Sequence, residues 1–599
     1  MFNLFKKLFS LLSPSQTRRF YLLQVLVIVM AIIEIIGVAS IIPFMSLVGD
    51  MSQLQKNTII AQAYQASGIT SASQFVFLLG IGVLVMLFFS AVISMFTTWR
   101  LSMFACKIGS EVADKLYSHY LRQNWLFHTT ESSAQLTKKI ATETVRVTSG
   151  ILMPLMQMNA RVVLSVLMSL SIFIYDPKVA IVGLTVFSSA YFIIFKVVEI
   201  RLKRNGTNIS KMVEQRYRLM NEGFGGIKDV LLLGRDKDFI NQFNITGQRV
   251  AYSMGANAAL TLVPRYFMEL IAFGSMIGLL LYLIATHNGN LAIILPILSV
   301  YALATFKLLP AFQQIYASVA YIKGNIAAFE SIQKDLTEAM QNEHIKKESQ
   351  KKPTLRPEQT ISLENINFTY PGLEEPTLNQ LNMSISANSV IGIVGPSGSG
   401  KSTLIDILLG LIEPQDGQLK IDNININSQN RRSWQNTIGF VAQDIFLSEG
   451  TIAENVAFGV PYEQIQLDRV QQALKLAHLT ELLNSLQKDI HTKIGERGVQ
   501  LSGGQRQRIG IARALYHEAE VLVFDEATSS LDGITERMIM DAIHDFSGQK
   551  TIIMIAHRLK TVQKCDQIFF IDKGQVIDKG TYHELIERNE HFKDMAAHS

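Results

Sequence analysis

Cysteine is nearly absent: Cys106 and Cys565 are the two in 599 residues. They are too few and too far apart for a disulfide framework or a cysteine-based metal site. No basic block interleaved with aromatics occurs, and the formal net charge of +5 is small for this length. Nucleic acid is therefore not an expected partner. The basic and apolar start, "MFNLFKKLFSLLSPSQTRRF", is followed by no small-residue cleavage site. It reads as a short interfacial helix before an uncleaved span. What is plentiful is apolar residues, 48% of the chain. They are gathered into long runs in the first half, while the second half has the make-up of a soluble α/β protein.

Crossing a bilayer takes roughly 20 apolar helical residues. Six stretches qualify: Tyr21–Val48, Gln74–Trp99, Ile151–Tyr175, Val179–Lys196, Leu262–Thr286 and Leu291–Phe312. "DPK" separates the third from the fourth and "HNGN" the fifth from the sixth, so both pairs are expected to be helical hairpins. Lys6, Lys7, Arg18 and Arg19 precede the first span. The connections after spans two and four carry Lys107, Lys115, Arg122, Lys138, Lys139, Arg201, Lys203, Arg204 and Arg216. The connections after spans one, three and five hold few basic residues, which predicts both termini on the cytoplasmic side. The two inner connections, about 50 and about 65 residues long, are too polar to lie in hydrocarbon. They are expected to continue the spanning helices, each with an elbow, at "NWLFHTTESS" and at "EGFGGIKDV".

Charged residues inside spans are costly and mark either internal pairing or a polar cavity. Here they are Glu34, Arg161, Arg265, Glu269 and Lys307. Arg265 and Glu269, four apart, suit mutual neutralisation. The functional alternative has Arg265 and Lys307 line a cavity for an anionic substrate group. The connection between spans one and two places Leu54, Ile59, Ala63 and Ala66 near one helical face. This reads as an amphipathic helix on the outer membrane surface, with a solvated loop as the other reading.

After Phe329 the composition becomes charged and proline-containing. The expected organisation is a membrane domain over 1–330, a linker over 331–360 and a soluble domain over 361–599. In that last domain β-branched strand cores ("VIGIVG", "IGFVAQ", "VLVFDE", "TIIMIAH", "QIFFID") alternate with helical segments. The expected fold class is thus a six-helix transmembrane domain with long cytoplasmic extensions fused to an α/β domain with a mostly parallel sheet.

"GPSGSGKST" comprises Gly395, Pro396, Ser397, Gly398, Ser399, Gly400, Lys401, Ser402 and Thr403. A strand precedes it and a helix follows, as a phosphate-binding loop requires. Its glycines let backbone N–H groups curl around the phosphates of ATP, Lys401 supplies charge, and Ser402 reaches Mg2+. "VLVFDE" ends in Asp525, placed beside the metal, and Glu526, placed to polarise an attacking water. "LSGGQRQR", Leu501 to Arg508, reads as a loop tipping into a helix capped by Ser502, whose free N–H groups suit a phosphate.

The order of phosphate loop, "LSGGQ", "VLVFDE", "SSLD" and "IAHR" resembles the nucleotide-binding domain of the ATP-binding-cassette (ABC) family. The resemblance extends from about Ile361 onward. It implies that Tyr370 stacks on adenine, that Gln443 reads Mg2+, that "GERG" (Gly495 to Gly498) is an exporter-type loop, that Asp532 ends the loop after the strand, and that His557 contacts the γ-phosphate. It implies as well that Ser502, Gly503, Gly504 and Gln505 close over ATP held by a second copy. One phosphate loop, one signature and six spans then make half of an exporter, completed as a homodimer. The elbows resemble the helices that carry motion into the membrane. In the membrane half, "EIIGVASIIPFMSL", "VPRYFMEL" and "FKLLPAFQQIYASVAYI" look similar to flippases of lipid-linked oligosaccharides. That implies a polyprenyl-pyrophosphate cargo in a bacterial inner membrane. A lipid A or multidrug exporter is the alternative, and an ATP-gated channel or transport regulator is the rival of another class.

Overall fold

The computed structural model describes the chain apart from residues 1–5, 7–8, 11, 50, 52–53, 55–58, 70, 176, 287–290, 343–353, 496–497, 527–532, 534–535, 538–539, 541–545, 557 and 598–599. It divides into two units. One is Met1–Gln123 with Phe127–Lys347, and the other is Asn124–Leu126 with Glu348–Ser599.

The first unit is helical. Its main elements are α1 (Pro14–Ala39), α2 (Ile41–Gly49), α3 (Ile59–Ala66), α4 (Ala72–Leu121), α5 (Trp125–Thr130, whose first two residues fall in the other unit), α6 (Met153–Tyr175), α7 (Pro177–Gly225), α8 (Ile227–Leu232), α9 (Asp236–Leu262), α10 (Pro264–Thr286) and α11 (Leu291–Asn342). The start of α1 is fixed locally. Ser13 and Gln16 form a reciprocal capping box, and Pro14 stands where a missing N–H costs nothing. Leu23, Val27, Met30, Ala31 and Glu34 make its buried stripe, yet Tyr21, Leu22, Val25 and Ile36 on the other faces are apolar and exposed. On α4, Phe77, Leu84, Phe88 and Met95 are exposed in the same way. A helix apolar all round with half its surface uncovered is matched to hydrocarbon, not water.

Four stretches among the described residues are long and apolar enough to cross a membrane: Pro14–Met45, Ala72–Leu121, Ser133–Ile174 and Asp236–Thr286. They carry the expected spans one, two, three and five. Spans four and six fall on α7 and α11, many of whose side chains there lie outside the described residues, as does "HNGN". At 50 residues, α4 is about 75 Å long, more than twice the hydrocarbon thickness. It therefore continues well past the bilayer, as the inner connections predict. The first elbow becomes α5, and the second is the break at Gly226 between α7 and α8. The charged stretch expected as linker begins as helix, because α11 runs on to Asn342 through residues that favour helix. The connection after the first span forms a helix, α3, with Ala61 buried, Tyr64 half-buried and Ala63 and Ala66 exposed.

The second unit has two sheets. The larger runs β10-β9-β3-β8-β7-β6, with β3 (Val390–Val394), β6 (Ile438–Val441), β7 (Val521–Asp525), β8 (Thr551–Ile555) and β9 (Gln567–Asp572) parallel. β10 (Gln575–Gly580) is an antiparallel edge. Strand β7 shows why the apolar runs are unbroken. Val521 and Val523 face one core, and Leu522 and Phe524 face another, so both surfaces are covered. The smaller sheet was not foreseen. It is antiparallel, β2-β1-β4-β5, from β1 (Thr360–Phe368), β2 (Leu378–Ser386), β4 (Asp416–Ile421) and β5 (Ile424–Asn425). Alternation of buried and exposed residues along β1 and β2 fits a sheet with one wet face. The helices used below are α12 (Lys401–Leu408), α13 (Ile452–Val456), α14 (Leu467–Leu476) and α15 (Gly503–Tyr516).

Candidate functional site

The parallel strands all end on the same side, and the candidate residues follow those ends. After β3 comes the loop Gly395–Gly400, leading into α12. Gly400 has φ +100° and a Cβ there would meet Thr377 O and Leu378 at 2.9 Å, so only glycine fits. Gly398, at φ +80°, faces open space instead. This leaves a bare backbone concavity of the kind that cradles a phosphate. Lys401 is buried, and its ammonium donates to the carbonyls of Gly395 and Pro396 at 2.9 Å each. Burial pushes its pKa down, while Glu526 and Asp525 pull it up. Those carboxylates thus share one electrostatic site with the lysine. Ser399 is buried with its hydroxyl unpartnered among the described residues, whereas Ser397 and Ser402 are exposed.

Asp525 closes β7 and Glu526 follows it with φ +50°, an uncommon conformation for a residue with a side chain. Gln443, two residues beyond β6, donates from Nε2 to Glu526 Oε2 at 2.8 Å. Three strand ends therefore bring together a cationic loop, two carboxylates and an amide. Tyr370, just after β1, is half-buried, stacks edge-on against Phe368 and shares a 3.3 Å hydrogen bond with Thr403 at the head of α12. Asp532 and His557 lie outside the described residues, as do the two central residues of "GERG".

Ser502 caps α15. Its Oγ accepts from the Gln505 N–H at 3.2 Å, and its own N–H donates to Gln505 Oε1 at 2.9 Å. Gln505 therefore completes a capping box, a role its place three residues after a serine permits reading from sequence. Among the described residues no hydrogen bond joins the Ser502–Gln505 stretch to the phosphate loop of the same chain.

Sequence reasoning missed two groups. Arg513 of α15 donates to the carbonyls of Asn455 and Phe446. Trp125, in the segment that belongs to this unit, donates from its indole N–H to Asp406 Oδ2 at 3.2 Å, and Leu126 packs on the adjoining core. Both pairings join residues distant in sequence, so no local pattern announces them.

In the helical unit both favoured substrate cations are engaged by carboxylates of the chain. Arg265 Nε donates to Glu269 at 2.7 Å, and Lys307 Nζ to the buried Glu34 at 3.2 Å. The neutralising alternative is the one drawn for Arg265.

Fold and site define a phosphate-loop ATPase unit joined to a membrane-spanning helical unit. Residues 20–309 match the ABC transporter transmembrane region and residues 378–529 the ABC transporter domain, which between them take in most of the chain. The chain belongs to the ABC transporter family, as a half-size exporter whose ATPase is coupled to translocation. An ATP-dependent lipid A-core flippase of Cupriavidus pinatubonensis is 40% identical over 230 residues, which is 38% of this chain and 39% of that protein. This match thus spans well under half the length of that relative. The ATP-dependent lipid A-core flippase of Escherichia coli K12 is 26% identical over 494 residues, 82% of this chain and 83% of that protein. A bacterial Atm1-family ABC exporter solved with ATP bound superposes with a TM-score of 0.77, covering 98% of this chain and 99% of that one at 21% identity. That likeness speaks to the fold.

Proposed function

We propose that two copies of this chain form a homodimer that uses ATP to move a lipid with a phosphorylated head group across the bacterial inner membrane, both termini being cytoplasmic. The observation that carries the dimer is the separation just described. Ser397 of the phosphate loop and Ser502 of the cap are both exposed, and among the described residues no hydrogen bond connects the two within one chain. Each ATP then lies on Gly395–Thr403 of one copy, with Tyr370 at the adenine and His557 at the γ-phosphate, and is covered by Ser502, Gly503, Gly504 and Gln505 of the other.

The donor set suits Mg2+. The Ser402 hydroxyl, the Gln443 amide oxygen and the Asp525 carboxylate are all oxygen donors, as a hard cation requires. Among the described residues no cluster of three His, Cys, Asp or Glu competes for another metal. When bound, Mg2+ neutralises charge on the phosphates. Glu526 orients the attacking water and accepts its proton, held in place by the Gln443 amide.

For the cargo, lipid A-type lipids are favoured over lipid-linked oligosaccharide. The relatives matched over most of their length are lipid A-core flippases, and the cations meant to greet a pyrophosphate, Arg265 and Lys307, already have carboxylate partners. The test is translocation in proteoliposomes, with a fluorescent lipid A analogue, a short-chain polyprenyl-pyrophosphate sugar and a zwitterionic lipid as separate cargoes. ATP-driven movement of the lipid A analogue above the other two is expected. The Glu526→Gln variant should bind ATP yet turn over about 100-fold to 10,000-fold more slowly. Preferential movement of the oligosaccharide lipid would reverse the cargo order, and movement of none would overturn the exporter reading for these lipids.

A further inference from the structure

We infer that Arg513 is a positioning residue for ATP hydrolysis, fastening the loop that carries Gln443 to the signature helix α15. The inference rests on the reading of Gln443 and Glu526 as the hydrolytic pair. The loop leaves β6 at Val441 and lies on α15 from Ile445 onward. Ile445 fills the space over Gly510, where a Cβ would come 2.5 Å from Ile445 Cδ1. The buried Leu447 occupies the equivalent space at Gly498, again 2.5 Å from a notional Cβ. Between these contacts the Arg513 fork reaches the loop at Phe446 and the following helix α13 at Asn455. Nη2 donates to Phe446 O and Nε to Asn455 O, both at 2.9 Å, and the guanidinium sits 4.7 Å over the Phe458 ring.

Asn455, on α13, ties that helix back to Ser448 and Thr451 in the loop before it. It is fully buried, donates to Ser448 O at 3.1 Å and Thr451 O at 3.0 Å, and accepts from Ser448 N–H at 2.9 Å. Phe446–Asn455 is therefore fastened to α15 at both of its ends. Gln443, three residues before Phe446, is its outlet toward Glu526. Since Ser502 begins the same helix, whatever settles on that helix start is felt at Gln443 through Arg513. A lysine cannot replace this arrangement, because a single ammonium lacks the planar fork that bridges two carbonyls while stacking on a ring.

The test compares Arg513→Lys, Arg513→Ala, Gln443→Ala and the double variant Gln443→Ala with Arg513→Lys in the full-length transporter. Measured are kcat, KM for ATP, affinity for a fluorescent ATP analogue and melting temperature. Arg513→Lys is expected to lower kcat on the order of 10-fold, as losing an outer partner of a site does, with nucleotide affinity and melting temperature unchanged. Added to Gln443→Ala it should cost nothing further, and millimolar guanidinium should restore part of the Arg513→Ala rate. If the Arg513→Lys loss multiplies with that of Gln443→Ala, or comes with lowered melting temperature and ATP affinity, Arg513 is only a packing residue and the inference fails. Full turnover by Gln443→Ala alone would instead remove the site reading, and the inference with it.

Discussion

Asp406 shows how much a single side chain reports. It lies on α12 behind the phosphate loop, accepts the Trp125 indole N–H, and has its pKa raised to about 6. Burial is the main cause, the Asp525 charge adds to it, and the Trp125 hydrogen bond opposes it. An unfolded aspartate titrates near ~3.9. The folded state therefore prefers the neutral form, and this contribution to stability is fully present below about pH 4 and lost as pH rises through about 6. The sheet-containing unit should thus gain melting temperature between pH 7 and pH 5 from this group. Asp406→Asn should remove that part of the pH dependence while keeping an acceptor for Trp125. Thermal melts of the full chain over that range check this, and an unchanged slope in the variant refutes it. Nothing near either residue announces the pair, since Trp125 and Asp406 are 281 positions apart. The phosphate loop, by contrast, is legible in nine consecutive residues because its chemistry is backbone geometry set by local glycines.

Elements were legible where one periodicity ruled. The five parallel strands stand where apolar β-branched runs put them. The antiparallel sheet was missed because β1 and β2 mix asparagine and serine into their alternation, which resembles loop composition. The long helices extend as foreseen, but how they lock together was not readable. Between Ser133 and Leu152 the helix passes through two π-turns, Lys139–Glu143 and Thr148–Leu152. These lie around a buried charge layer. Glu143, fully buried, pairs with Lys138 at 3.4 Å and with Arg146 at 2.9 Å. Lys138 reaches Glu214 of α7 at 3.0 Å, and Arg146 reaches Ser210 of α7 and Asn325 of α11. One carboxylate thus holds two cations that bind three helices together. Removing it takes away the one carboxylate paired with Arg146 among the described residues and leaves Lys138 with Glu214 alone, so Glu143→Ala should cost about 3–5 kcal/mol. Glu214→Ala, whose carboxylate is half exposed, should cost clearly less. Chemical denaturation in detergent separates them, and equal losses would show that the layer is not cooperative.

At the scale of the whole molecule, one chain supplies one phosphate loop and one capped signature helix, and the proposed function needs them to meet across two chains. The two cysteines make this testable with little background. Cys106 is exposed and can be changed to serine. Cys565 is buried, and burial together with the neighbouring Asp566 pushes its thiol far above the usual range, which keeps it unreactive. Ser397 of the phosphate loop and Ser502 of the signature are both exposed, so each can carry a new thiol without disturbing a core. Ser502→Cys gives up a helix cap worth about 1 kcal/mol, which a 14-residue packed helix tolerates. In a Cys106→Ser, Glu526→Gln background, ATP with Mg2+ should bring Ser397→Cys of one copy against Ser502→Cys of the other. Oxidation should then convert the chain to a covalent dimer on a non-reducing gel. Either single-cysteine variant should stay monomeric on the same gel, because a symmetric pairing of unlike sites needs both thiols in each copy. A disulfide that forms within one chain, leaving its mobility that of a monomer whether or not ATP is added, would mean that the two phosphate-seeking features serve a single copy, and the homodimer would have to be abandoned.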